Sequence, residues 1–155
     1  MIISGKDLSK TIKEGLKVKV AELEAKYGKS PNLVVILVGD DPGSVSYVSG
    51  KAKAATEVGI RNTTLRHPDT ITEAELLAII DRLNADDDVD GILVQLPLPK
   101  HIDEQKVIAA IKPEKDVDSF HPINVASLWL KLPGTKPCTP KGIIKLLESV
   151  GVDIA

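Results

Sequence analysis

Apolar positions along this 155-residue chain switch between helical spacing and unbroken runs. Across residues 7–27, Leu8, Ile12, Leu16, Leu23 and Tyr27 recur at steps of four or near multiples of four. That spacing predicts one face of a helix, and Gly28 is placed to stop it. After Pro31 the run Leu33-Val34-Val35-Ile36-Leu37-Val38 is apolar at every position. A strand covered on both faces reads this way, because its alternating side chains all enter a core. Residues 39–43 form a polar loop, Ser44 is a candidate N-cap, and a second helix reaches about Val58 before Gly59. Residues 60–66 predict a weaker strand. Thr72 with Glu75 three positions later has capping-box spacing, ahead of an amphipathic helix carrying Leu76, Leu77, Ile79, Ile80 and Leu83. Residues 91–96 form another apolar strand, broken only by Gln95. Asp103 opens a short helix through Val107, Ile108 and Ile111, closed by Pro113. Thr139-Pro140 reads as the cap and first-turn pair of a last helix with Ile143, Ile144, Leu146, Leu147 and Val150.

Strands alternating with helices predict the α/β class, here a three-layer α/β/α domain with a mainly parallel sheet spanning residues 1–155. Composition narrows the chemistry. Twenty-two acids against 20 bases leave a formal charge of −2, not the clustered basic surface that displaces counterions from nucleic acid. Two tyrosines, one tryptophan and one phenylalanine are too few for a base-stacking platform. The apolar runs are strand-length, well short of the roughly 20 residues that cross a bilayer. Lys6, Asp7 and Lys10 interrupt any signal-peptide core, and the single cysteine, Cys138, has no internal disulfide partner. The expectation is a soluble cytoplasmic domain with neither nucleic acid nor membrane as partner.

Ligands of open α/β sheets sit beyond the carboxyl ends of the strands. Three polar loops occupy such places: residues 39–44, 95–101 and 115–124. The first feeds the helix with Tyr47 and Lys51, four residues and hence one turn apart on one face. That pair reads either as a snorkelling lysine beside a packed tyrosine or as a stacking phenol with a proton-transferring amine. Gln95 is either a satisfied structural amide or a site residue; a buried amide without a partner costs about 1–3 kcal/mol. Asp116 and Asp118 flank Val117, and one of them can face the cleft while the other braces the loop.

Other motifs fail on inspection. The tyrosine–lysine spacing of short-chain dehydrogenases needs a glycine-rich dinucleotide loop upstream, which Gly5 and Gly15 cannot supply. Gly43, Gly50 and Lys51 miss the phosphate-loop spacing, and Ala52 stands where a magnesium-holding Ser or Thr belongs. Residues 86–91 open like a calcium loop, but the twelfth position is Pro97 instead of a bidentate glutamate. His67, His101, His121 and Cys138 lack metal-ligand spacing, so no metal is expected.

Four ordered motifs now carry a resemblance. Val38-Gly39-Asp40-Asp41-Pro42-Gly43-Ser44 with Tyr47, Lys51 and Gly59-Ile60 is the first, and Gly91-Ile92-Leu93-Val94-Gln95-Leu96-Pro97-Leu98-Pro99 the second. Lys115-Asp116-Val117-Asp118 with Phe120-His121-Pro122 is the third, and Pro137-Cys138-Thr139-Pro140 with Gly142 the fourth. Together they resemble methylenetetrahydrofolate dehydrogenase/cyclohydrolase over nearly the whole chain. The resemblance implies oxidation of 5,10-methylenetetrahydrofolate with NADP and hydrolysis of the methenyl product to 10-formyltetrahydrofolate. It implies a catalytic set of Lys51, Tyr47, Gln95 and Asp118, with the lysine central, the tyrosine stacked on folate, the glutamine on the lysine and the aspartate on the pterin. It implies substrate contacts at Ser44, Tyr47, Val94, Leu96, Pro97 and Asp118. Ser119 and Ala126 stand where the family usually has glycine, and Gly50 where asparagine is common. The family continues with a Rossmann domain that binds NADP and a helix that returns to the folate domain, and it forms homodimers. This chain reaches only Ala155 and has no glycine fingerprint, so it is expected to be the amino-terminal folate-binding domain, without dehydrogenase activity alone. A non-catalytic folate-binding or interaction module is the competing reading.

Overall fold

The computed structural model describes residues 3–152, so the first two and last three positions of the expected domain lie outside it. Strand β1 (Asn32–Val38) is central, flanked by β2 (Arg61–His67) and β3 (Gly91–Val94), all parallel in the order β2-β1-β3. Between them run α2 (Pro42–Glu57) and α3 (Glu73–Ala85); α1 (Gly5–Tyr27) precedes the sheet, and α4 (Glu104–Ala110), α5 (Pro122–Trp129) and α6 (Cys138–Glu148) follow it.

Period-two alternation within β1 divides the core. Val34, Ile36 and Val38 join Ile92 and Val94 of β3 beneath Leu76, Ile79 and Ile80 of α3 and Val107 of α4. Val35, Leu37 and Leu93 face the other way, against Val48 of α2. Helices therefore cover both faces of a parallel sheet, and this is the three-layer α/β/α architecture expected. The unbroken apolar runs follow from it, since neither face of β1 or β3 meets water.

Local signals account for most boundaries. Gly28 ends α1 in the left-handed region at φ 74°, where a side chain would be strained. The capping box of α3 forms as its spacing predicts: Thr72 Oγ1 accepts from the Glu75 N–H at 3.2 Å, and Glu75 Oε2 accepts from the Thr72 N–H at 2.9 Å.

Three expectations are corrected, and one helix meets little of the core. Ser44 is not the cap of α2: the Asp41 carboxylate takes its N–H at 2.8 Å, and Pro42 at the helix start has no N–H to satisfy. Thr139 is not the cap of α6, which begins at Cys138 after Pro137 with no side-chain cap. Pro137 and Pro140 remove two of the unbonded N–H groups that a cap would serve. Helix α5 falls where a loop was read, because its buried residue is the polar Asn124 while Ile123, Val125 and Trp129 face outward. Finally, the apolar stripe of α1 is not a core face. Val20 is the residue of α1 that is buried, packed against Gly59, whereas Ile12, Leu16, Leu23 and Tyr27 are exposed.

Candidate active site

From the carboxyl end of β1 the chain leaves through α2 toward β2, and after α3 it crosses back to β3 on the other side of β1. Connections thus part in opposite directions between β1 and β3, and the crevice beyond their carboxyl ends is where such sheets place ligands. Three segments meet there.

Helix α2 seats Ser44, Val48 and Ala55 inward, which turns Tyr47 and Lys51 to the rim. Tyr47 is 69% exposed, a ring free to stack; Lys51 is half-buried. Strand β3 ends at Val94, one residue before the amide that was read as its interruption. The Gln95 N–H still donates to Ile36 O at 2.9 Å, which fixes the residue beside β1. Lys51 Nζ donates to Gln95 Oε1 at 3.1 Å, and Gln95 Nε2 donates to Leu96 O at 2.6 Å. Both ends of the half-buried amide are satisfied, as burial demands.

The third segment brings Asp118. Burial pushes its carboxyl pKa above 3.8, the nearby Lys51 charge pulls it down, and Asp116 pushes it up again. Asp116 itself is buried, and the chain bends at Val117 and Asp118, so the two aspartates, which an extended strand would put on one face, part: Asp116 inward and Asp118 near Lys51. Lys51, Gln95 and Asp118 are therefore brought together, with Tyr47 at the rim.

The remaining candidates are placed less directly. The side chain of Ser44 lies on the buried face of α2. That of Val94 lies in the core beneath α3, on the opposite sheet face from α2. Leu96 packs on the edge of the same core, and Pro97 is exposed after a cis Leu96–Pro97 bond. Gly91 has a role that pattern reading missed: a Cβ there would lie 2.6 Å from Val117 Cγ1, so only glycine lets the Asp118 segment approach β3. A glycine opening an otherwise apolar strand was the available signal. Among the described residues, no three His, Cys, Asp or Glu side chains gather as metal ligands, and no helix is long and apolar enough to cross a membrane.

Residues 3–118 match the family described as tetrahydrofolate dehydrogenase/cyclohydrolase, catalytic domain. The chain belongs to that family. Among its relatives, the bifunctional protein FolD of Geobacillus thermodenitrificans is 58% identical over 154 residues, 99% of this chain and 54% of its own length. The bifunctional FolD methylenetetrahydrofolate dehydrogenase/cyclohydrolase of Campylobacter jejuni superposes with a TM-score of 0.95 at 51% identity, over 99% of this chain and 54% of that one. The methylenetetrahydrofolate dehydrogenase-cyclohydrolase of Trypanosoma brucei, solved with NADP cofactor and an inhibitor, gives 0.95 at 38% identity, over 100% of this chain and 53% of that one. The chain spans about half the length of these proteins. In this tetrahydrofolate dehydrogenase/cyclohydrolase catalytic domain, the Lys51–Gln95–Asp118 cluster lies on the first, second and third of the motifs that carry the sequence resemblance.

Proposed function

We propose that this chain is the folate-binding catalytic part of a methylenetetrahydrofolate dehydrogenase/cyclohydrolase. The observation that carries this is the 3.1 Å contact of Lys51 with Gln95 at the sheet's switch point, beside Asp118. Tyr47 offers its exposed ring to the folate, and the Asp118 carboxyl accepts the pterin's ring N–H and amino groups. Gln95 holds the lysine nitrogen through a neutral oxygen, which orients it without adding a charge. Leu96 and Pro97 line the pocket, with Ser44 and Val94 behind them.

For hydrolysis, the cationic methenyl carbon between the two folate nitrogens is the electrophile. Water adds to it and gives a proton to Lys51 in its amine form. The proton returns to the nitrogen nearer the pterin as that carbon–nitrogen bond breaks, and the hydroxyl proton passes to solvent as the formyl carbonyl forms, leaving 10-formyltetrahydrofolate. A lysine poised over the reacting carbon contributes through placement and proton transfer, typically worth about 10²–10⁴-fold for the latter.

Oxidation requires a nicotinamide cofactor, and the amino end of α2 does not fit its pyrophosphate. The amino end of α2, the natural anion seat after β1, is filled by the chain's own Asp41 carboxylate, which its bond from the Ser44 N–H holds below its ordinary pKa of 3.8. An anion there would repel a pyrophosphate. NADP is given no seat at that helix end, and no dehydrogenase step is assigned to these residues. The family resemblance extends the reading to a cytoplasmic homodimer.

Lys51→Met tests the assignment. Loss of methenyltetrahydrofolate hydrolysis, followed by the decay of its near-ultraviolet absorbance, is expected with folate binding largely retained. Near-normal hydrolysis by the variant would remove the lysine from its role.

A further inference from the structure

Asp116 is the one acidic side chain buried among the described residues, at 4% exposure. Its carboxylate is fully engaged. Oδ1 accepts from the Ser119 N–H at 3.0 Å, and Oδ2 accepts from the His121 N–H at 2.8 Å and from Asn124 Nδ2 at 3.0 Å. Its backbone forms a parallel bridge to Ile92 of β3, with the Ile92 N–H donating to Lys115 O at 2.8 Å. Asn124 is tied in turn to Pro113 O at 2.9 Å. One end of the turn is thus fastened to the sheet, and the carboxylate gathers the other end back over it.

Asp118 lies inside that turn, next to Ser119, whose backbone sits at φ 59°. A residue with a Cβ holds that left-handed conformation only when its surroundings impose it. The imposing contact is the Asp116 Oδ1 bond to the Ser119 N–H. Besides it, the hydrogen bond to residues 117–120 among the described residues is the long 3.9 Å one from Cys138 Sγ to Val117 O, too weak to keep the Asp118 carboxyl in its partly dehydrated place by Lys51.

Resting on the folate reading above, we propose that Asp116 is the positioning residue of this site: its buried carboxylate shapes the 116–121 turn and so holds Asp118 toward Lys51. Asp116 touches no substrate; it acts through Asp118. Its own charge also stays near Asp118 and favours the protonated carboxyl, against the pull of Lys51. These two, Lys51 from α2 and Asp116 from the turn itself, are the charged groups that act on Asp118.

The test uses Asp116→Asn, Asp118→Asn and the double variant, with 5-formyltetrahydrofolate as an unreactive probe in calorimetry. An asparagine keeps the shape but turns an N–H₂ toward one of the three donors. Each single variant is expected to weaken binding about tenfold or more, and the double variant to bind within about threefold of Asp118→Asn, since a group acting through another adds nothing once that other is gone. A carboxyl-carbon NMR titration of Asp118, made without ligand, is expected to give a lower midpoint in Asp116→Asn, because both the neighbouring negative charge and the dehydrated placement are lost. Losses that multiply in the double variant, unchanged affinity in Asp116→Asn, or an unmoved Asp118 midpoint would each overturn the proposal. If the unmodified protein fails to bind the probe, the folate reading fails, and the titration alone then decides the positioning role. Should Asp116→Asn not fold, Asn124→Ala removes one donor and leaves the carboxylate; it is expected to move the affinity and the midpoint in the same directions by less, and no movement in either would count against the proposal.

Discussion

Ser119→Gly is expected to stabilise this protein. The serine occupies a left-handed conformation at φ 59°, which costs a residue with a Cβ roughly 1–2 kcal/mol. Its side chain is 1% exposed, and its Oγ has no hydrogen-bond partner among the described residues. A hydroxyl dehydrated without a partner costs about 1–3 kcal/mol. Glycine removes both costs and adds one of about 0.4–1 kcal/mol, through the greater freedom it gives the unfolded chain. The net gain is on the order of 1–4 kcal/mol. The backbone bond from residue 119 to Asp116 survives the change, so the turn keeps its shape. Urea titration should show a higher midpoint with an unchanged slope, and thermal unfolding should shift upward by several degrees. A lower midpoint would refute the reasoning, since it would mean that the hydroxyl contributes a bond worth more than the backbone strain.

Three further outcomes are expected. Gly91→Ala would drive a methyl group to 2.6 Å from Val117 Cγ1, costing about 1–3 kcal/mol in denaturant unfolding and weakening folate binding by displacing the Asp118 segment; wild-type behaviour would show that this segment and β3 can part freely. Tyr47→Ala should weaken folate binding more than Tyr47→Phe, by about 0.5–1.5 kcal/mol of stacking, and equal losses would point to the hydroxyl instead. Asp118→Asn should raise stability at neutral pH. Its carboxyl is held above 3.8 in the fold, so the folded state binds the proton more tightly, and the stability tied to it is full below 3.8 and falls as pH rises through the raised value. The variant's advantage over wild type should therefore disappear below pH 3.8, and a pH-independent difference would contradict the shift.

Much of this protein was determined by local sequence. The fully apolar runs of β1 and β3 require cover on both faces, which already implies helices above and below a parallel sheet. Thr72 and Glu75 form their capping box from spacing alone, and Tyr47 and Lys51 share a helix face for the same reason. These features arise from neighbours within one turn or along one strand, so the order of residues suffices to predict them. Other features were decided only by tertiary structure. The strand order β2-β1-β3 places the crevice between β1 and β3, and no pattern within a strand encodes which neighbour it takes. Lys51 and Gln95 meet across 44 residues of chain because α2 and the end of β3 pack on the same face. The bridge to Ile92 fixes Asp116 at the sheet, and the bend at Val117 and Asp118 then separates two aspartates that strand alternation would have put on one face. The apolar stripe of α1 stayed largely outside the core, and α5 buried an asparagine instead of its hydrophobic side chains. In α1 apolar spacing established the helix but not the surface it meets, and in α5 it revealed neither, since burial depends on contacts between residues distant along the chain.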